Sequence, residues 1–277
     1  MWRRRRNLGT LLGGAALAAG VYYANRIEPA RVEVRERSLV LRRLDKEFDG
    51  YRLALIGDIH MDGWMTPDRI TSILGLLNEQ EPDLVAISGD YVTDTVALDS
   101  RELSNALSQI EAKDGVVGVL GNHDYLADQR MIRRLIHESG IVELANDVYT
   151  VHRGDAALHV AGVDNFRQRK ARLDLVLEKL PEEGAAVLLA HEPDFADVSA
   201  ATGRFDLQLS GHSHGGQVRL PFVGPVVRPL YGMKYPDGLY EVDGMLQYTN
   251  RGLGLLGAHL RFNCRPEITI LTLLAPL

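Results

Sequence analysis

From Arg31 apolar and polar positions alternate, with Val32, Val34, Leu39 and Leu41 on the apolar side, and this period of two predicts an edge strand. The run YRLALIG from Tyr51 is short and almost wholly apolar, which predicts a buried strand ending at Gly57. Beyond it Ile70, Ile73, Leu74 and Leu77 recur at helical spacing behind Thr66 as N-cap and Pro67 in the first turn. DLVAIS (Asp83 to Ser88) is a second buried run, so this is a strand-helix-strand unit whose strands run parallel. The alternation continues with a helix around Glu102 to Ile110, a strand GVVGVLG, and a helix from about Gln129 to Glu138 closed by Gly140. Strands follow near Glu143, Val148 and Leu158, then a helix from about Lys170 to Leu180 stopped by Pro181, then strands AAVLLA and FDLQLS. From Gln217 onward the chain is rich in Val, Tyr, Gly and Pro and predicts β structure with long loops. A two-sheet core with helices outside, an α/β fold, fits this count better than one doubly wound sheet.

Polar clusters stand at the ends of these apolar runs. After LALI comes Gly57-Asp58-Ile59-His60; after LVAIS, Gly89-Asp90; after VVGVL, Gly121-Asn122-His123-Asp124; after VLLA, His191; after LQLS, Gly211-His212-Ser213-His214-Gly215-Gly216. Each cluster alone reads as a turn or a packing histidine, as His137, His152, His159 and His259 do. Carboxyl ends of strands converge on one crevice in α/β sheets, so together the clusters predict one site. Carboxylates gathered there repel, and partial burial raises their pKa values unless a cation neutralises them. Two carboxylates, an amide oxygen and four imidazoles are too many donors for one ion and suit two divalent ions sharing a carboxylate, with Mn²⁺, Fe or Zn²⁺ all compatible.

The last cluster also fits G-x-S-x-G, the turn that presents a nucleophilic serine. That turn needs a helix straight after it, whereas QVRLPFVGPVVRP is β-prone and interrupted by Pro221, Pro225 and Pro229, so Ser213 is expected to be a spacer.

The pattern D-x-H, G-D, G-N-H-D, H and G-H-x-H resembles the calcineurin-like metallophosphoesterases, from about Tyr51 to the C-terminus. The resemblance implies a four-layer sandwich of two mixed β-sheets flanked by helices, with a dinuclear site at the strand ends. Carried over by position, it implies Asp58, His60 and His214 on one ion, Asn122, His191 and His212 on the other, and Asp90 between them. It implies hydrolysis of a phosphodiester or pyrophosphate bond by metal-activated water. His123 is expected to approach the leaving oxygen as hydrogen-bond donor or acid, with Asp124 either orienting its ring or serving as a turn residue. The tail from Tyr235 is similar to a membrane-associated branch that includes UDP-2,3-diacylglucosamine pyrophosphatases and cell-envelope phosphoesterases. A lipid-linked substrate, a general phosphatase or phosphodiesterase acting on small phosphoesters, and a non-catalytic protein-binding scaffold stay open.

Composition narrows this further. The chain has 277 residues, 45% hydrophobic and 25% charged, with a formal net charge of -6, which disfavours nucleic acid as a partner. Cys264 is the single cysteine, so no intrachain disulfide or cysteine-based zinc site forms. Residues 1–26 carry four leading arginines and then an uncharged run from Asn7 to Asn25, which predicts a membrane anchor or an export signal of twin-arginine type. On the positive-inside rule that segment would deliver the folded domain to the cell envelope, although a cytoplasmic membrane face is also open. Residues 27–50 are expected to be linker and edge strand, and 51–277 the phosphoesterase domain.

Overall fold

The computed structural model describes residues 14–93 and 100–277. A helix over residues 14–22 leads in. It is followed by β1 (Glu33–Val40), β2 (Tyr51–Ile56), α1 (Pro67–Asn78), β3 (Leu84–Ile87), α2 (Ser100–Leu107), β4 (Val116–Gly118), α3 (Asn122–Leu126), α4 (Gln129–Glu138) and β5 (Val142–Glu143). The second half contains β6 (Asp147–Arg153), β7 (Ala156–Gly162), α5 (Leu173–Lys179), β8 (Ala185–Leu189), α6 (Ala196–Ala200) and β9 (Leu207–Ser210). It closes with β10 (Arg219–Leu220), β11 (Gly224–Pro225), β12 (Gly238–Val242), β13 (Met245–Thr249) and β14 (Glu267–Leu274).

Two six-stranded sheets form, in the orders β1-β14-β2-β3-β4-β5 and β12-β13-β9-β8-β7-β6, and both are mixed. β2 and β3 pair in parallel, as the strand-helix-strand reading requires, with Leu53 opposite Leu84 and Leu55 opposite Ala86. The alternating stretch after Arg31 is the edge strand of its sheet, paired in parallel with β14. Leu53, Leu55, Leu84, Val117, Val187 and Leu209 pack in the layer between the sheets, which is why strands of both sheets are apolar on two faces. α1 covers the outer face of the first sheet through Ile70, Ile73, Leu74 and Leu77, with the Thr66 hydroxyl accepting from the Arg69 N–H at its N-terminus. Val176 of α5 and Ala196 and Ala200 of α6 cover the outer face of the second. The result is four layers, helices outside two sheets, as expected.

Several elements differ from the expectation. The helix anticipated around Glu102 to Ile110 spans Ser100–Leu107, and α5 is shorter than Lys170 to Leu180. The short α3 was hidden inside a motif that reads as a loop. β14, whose sheet the sequence left open, inserts between β1 and β2, antiparallel to β2.

The expectation of a membrane-anchored or exported protein is corrected by the leading segment. No helix among the described residues is long and apolar enough to cross a membrane. Within the described part of that segment, the chain is α-helical over residues 14–22. It then passes into a wider turn, Tyr23–Ile27, that is fastened to the domain. The Ala24 carbonyl accepts from the Arg261 N–H at 2.8 Å, the Asn25 amide donates to the His259 carbonyl at 2.7 Å, and buried Glu28 accepts from the Cys264 N–H. An apolar stretch judged by composition alone carries no information about such docking. The Arg5-Arg6 pair lies outside the described residues.

Candidate metal centre

The five motif clusters do meet at one rim. Asp58 and His60 leave β2, Asp90 follows β3, Asn122 and His123 open α3 beyond β4, His191 follows β8, and His212 and His214 follow β9. Asp58, His60, Asp90, Asn122, His191, His212 and His214 are all buried, none more than 5% exposed. Five of them hold left-handed backbone, with φ of 46° at Asp58, 47° at His60, 54° at Asp90, 68° at His212 and 50° at His214. Such conformations cost on the order of 1 kcal/mol each for residues with a side chain, and they turn successive side chains inward at the ends of straight strands.

The strained loops are held by hydrogen bonds to one another. The His212 N–H donates to both Asp58 oxygens, at 3.0 and 2.9 Å, and the His123 N–H donates to Asp90 Oδ1 at 2.8 Å. Glycine is required where these backbones touch the acids: a Cβ on Gly121 would fall 2.0 Å from Asp90 Oδ1, and one on Gly211 2.5 Å from Asp58 Oδ2.

Two ligand groups result. Asp58, His60 and His214 form one; Asp90, His191 and His212 form the other. His60 Nε2 lies 3.1 Å from His214 Nε2, and His214 Nε2 lies 3.7 Å from Asp58 Oδ1. In the second group His191 Nε2 is 3.2 Å from His212 Nδ1. Asp90 Oδ2 stands between the groups, 3.2 Å from His191 Nε2 and 3.5 Å from His60 Nε2. The Asn122 Oδ1 is buried without a hydrogen-bond partner.

Ring orientation is fixed from outside. His191 Nδ1 meets the Ser88 carbonyl at 2.7 Å, leaving Nε2 to face Asp90, and His212 Nε2 meets the Leu230 carbonyl at 2.9 Å, leaving Nδ1 to face His191. Carbonyl acceptors of this kind set the tautomer of a ligating histidine and raise its basicity.

Charges within this pocket are displaced as burial and crowding dictate. Burial pushes the Asp58 carboxyl up to about 7, only partly offset by the charge of His191. Burial takes His60 down to about 4 and His212 down to about 3, so both rings present neutral nitrogens. Burial alone would raise Asp90, but the His191 charge outweighs it and holds the carboxyl well below its usual range. Two buried aspartates, four imidazoles and an orphaned amide oxygen form the donor set that suits borderline divalent ions. The residues present therefore fit two such ions.

His123 lines the cavity above the groups, and its ring packs edge-on against His60 with centroids 4.9 Å apart. Asp124 requires a correction. Instead of orienting the His123 ring, its carboxylate accepts from the backbone N–H groups of Asp90 at 2.9 Å, Tyr91 at 2.9 Å, Val92 at 3.3 Å and Gly121 at 2.8 Å. Four backbone donors saturate the carboxylate, and the His123 Nδ1 has no partner. Ser213 is a spacer: its hydroxyl donates to the Pro236 carbonyl, and only a single turn, His214–Gly216, follows, broken by left-handed Gly215.

Three polar residues near the site were not singled out from the sequence. Glu192 is 1% exposed and binds the N–H groups of Phe166 and Arg167; its position next to His191 was the one available hint. Arg167 lines the cavity from a stretch, NFRQRK, that reads as solvated surface. Arg261 is fully buried and donates to the carbonyls of Arg251, Gly252 and Gly254, the segment that packs on Asp58.

Comparison with known proteins agrees with this geometry. Residues 51–216 match the family model described as calcineurin-like phosphoesterase. The chain is 32% identical to an uncharacterized metallophosphoesterase, YkuE, of Bacillus subtilis, over 96% of this chain and 94% of that one. It is 30% identical to the phosphodiesterase YaeI of Escherichia coli, over 99% and 100%. Among solved structures, a Thermus thermophilus sulfate thiohydrolase, SoxB, aligns with a TM-score of 0.48 at 13% identity, covering 81% of this chain and 57% of that one. On the family model and the full-length relatives together, the chain belongs to the calcineurin-like phosphoesterases and is a metal-dependent phosphoester hydrolase.

Proposed function

We propose that the protein hydrolyses a phosphodiester or diphosphate bond in a substrate that carries an apolar group. The observation that carries the reading is Asp90 Oδ2, within 3.2 and 3.5 Å of histidine nitrogens from both ligand groups, at the floor of a cavity of about 460 Å³. One wall of that cavity is apolar, formed by Val218, Val226, Val227, Pro229, Leu256 and Leu260. This wall favours a substrate such as UDP-2,3-diacylglucosamine over small phosphomonoesters, because an apolar substituent gains roughly 25 cal/mol per Å² buried.

In this reading Asp58, His60 and His214 hold one divalent ion, Asn122, His191 and His212 a second, and Asp90 joins them. Bound there, two ions supply charge neutralisation at the phosphoryl group and ionised water at neutral pH. His123 stands over the centre, its backbone N–H tied to Asp90, so the ring approaches from a fixed direction and donates a proton or hydrogen bond to the leaving oxygen. The apolar wall keeps water from the reacting group and strengthens these interactions. A scaffold without catalysis is disfavoured, since every ligand position is filled by a competent donor.

The test is hydrolysis of bis(p-nitrophenyl) phosphate with added Mn²⁺, with and without EDTA, beside UDP-2,3-diacylglucosamine and a simple phosphomonoester. The expected result is chelator-sensitive turnover, with higher kcat/KM for the substrate bearing acyl chains. Equal turnover of the phosphomonoester would remove the apolar-substrate reading, and activity indifferent to EDTA would remove the metal mechanism.

A further inference from the structure

We infer that Arg167 is a specificity-determining residue that binds a second anionic group of the substrate, next to the scissile phosphate, so that the preferred substrate is an organic diphosphate ester. The inference rests on the metal-dependent phosphodiesterase reading and deepens it.

Elimination within the cavity points first to this residue. Among its lining side chains, Gln217 is fully engaged, its amide donating to the Leu256 carbonyl at 2.8 Å and accepting from the Leu256 N–H at 2.7 Å. The Ser213 hydroxyl is spent on the Pro236 carbonyl. Asp90, Asn122, His212 and His214 belong to the two ligand groups. Among the described residues of the lining, His123 and Arg167 remain to meet a substrate, and Arg167 is the single lysine or arginine. Its guanidinium has no ion pair or hydrogen bond among the described residues, while its backbone N–H donates to Glu192.

The backbone beneath this free side chain is held firmly. Glu192, buried, accepts from the N–H groups of Phe166 at 3.1 Å and Arg167 at 3.0 Å. Asn165 Oδ1 accepts from the Gln168 N–H at 2.9 Å. The Phe166 ring packs edge-on against Phe195 and Tyr231, with centroids 5.1 and 4.9 Å apart. Tyr231 adjoins Leu230, whose carbonyl orients His212. The loop therefore holds the Arg167 backbone in a defined position on the cavity lining, beside the segment whose Leu230 carbonyl orients His212.

Depth separates the two anions. The ligand groups are buried, whereas Arg167 is exposed at the mouth. A phosphoryl group drawn to the floor leaves Arg167 to meet the next group outward. A planar guanidinium with no partner among the described residues is suited to fork onto phosphate oxygens.

The test uses the full chain loaded with Mn²⁺ and isothermal titration calorimetry with two probes, adenosine 5′-monophosphate and adenosine 5′-(α,β-methylene)diphosphate. Wild type, Arg167→Ala and Arg167→Lys are compared, and a thermal melt confirms that each is folded. Loss of a charge-assisted pair predicts that Arg167→Ala weakens the diphosphate probe roughly 10- to 100-fold relative to the monophosphate probe, with Arg167→Lys recovering part of the preference. Equal weakening of both probes would place Arg167 on the scissile phosphate instead, and no change in either would make it a solvated surface residue; both outcomes overturn the inference. Because the readout is binding, it stands apart from the hydrolysis assay: inert protein that still discriminates through Arg167 removes the catalytic reading alone.

Discussion

Asp124→Asn separates two roles for the residue. If Asp124 oriented the His123 ring, the amide would lower kcat and leave stability untouched. The structure instead gives its two oxygens to four backbone N–H groups, with Tyr91 and Val92 on Oδ1 and Asp90 and Gly121 on Oδ2. An amide keeps one oxygen and turns an NH₂ toward two N–H donors at a site 0% exposed. Two hydrogen bonds to a charged acceptor are lost, at roughly 1.5–3 kcal/mol each, for a total of about 3–6 kcal/mol. Against a native stability of about 5–15 kcal/mol this is severe, and at roughly 2–4 °C per kcal/mol it lowers Tm by about 6–24 °C. The assay is urea unfolding and thermal melting in EDTA, which removes any stabilisation from metal binding. A variant within about 1 kcal/mol of wild type, with kcat reduced, would refute the clamp and restore the ring-orienting role.

Asp90→Asn is expected to lower kcat by several orders of magnitude and reduce bound Mn²⁺ measured by plasma mass spectrometry, since Asp90 Oδ2 faces both groups. His123→Ala should slow turnover about 10²- to 10⁴-fold with metal content unchanged, because the ring lies outside both ligand groups; loss of metal would show that it is a ligand. Gly121→Ala should destabilise the protein and depress metal affinity together, as the new Cβ lands 2.0 Å from Asp90 Oδ1; a wild-type melt would contradict the packing. EDTA should abolish turnover while the far-ultraviolet circular dichroism is retained, and added Mn²⁺ should restore activity.

The residues that converge were readable because their carriers are unmistakable: short apolar runs end in Gly-Asp, Gly-Asn-His-Asp or Gly-His-Ser-His, and strand ends share a rim. Helix α1 was readable down to its cap, since Thr66 and Pro67 act locally. What escaped was set by distant contacts. The nitrogen that His191 turns inward depends on the Ser88 carbonyl, 103 positions away. The placement of β14 between β1 and β2 depends on pairings across most of the chain, which no local period encodes. Asp124 was misread because a carboxylate beside a histidine suggests a side-chain pair, while the turn of α3 sends it to the Asp90 loop. The end of the uncharged run shows the same limit: apolar composition does not encode the hydrogen bonds by which Ala24 and Asn25 meet Arg261 and His259.

The misreading of Asp124 has a wider physical cause, which is that acids in this rim anchor backbone. Asp58 ties the loop at His212, Asp90 the start of α3 at His123, Asp124 the loop from Asp90 to Val92, and Glu192 the loop carrying Arg167. Each carboxylate takes N–H groups from a segment other than its own, so loops after different strands are tied to one another as well as to the sheets. Left-handed residues at five ligand positions are sustained by that web, since the bonds compensate strain that isolated loops would release. The ligand side chains are thereby positioned by hydrogen bonds that join the loops of the rim.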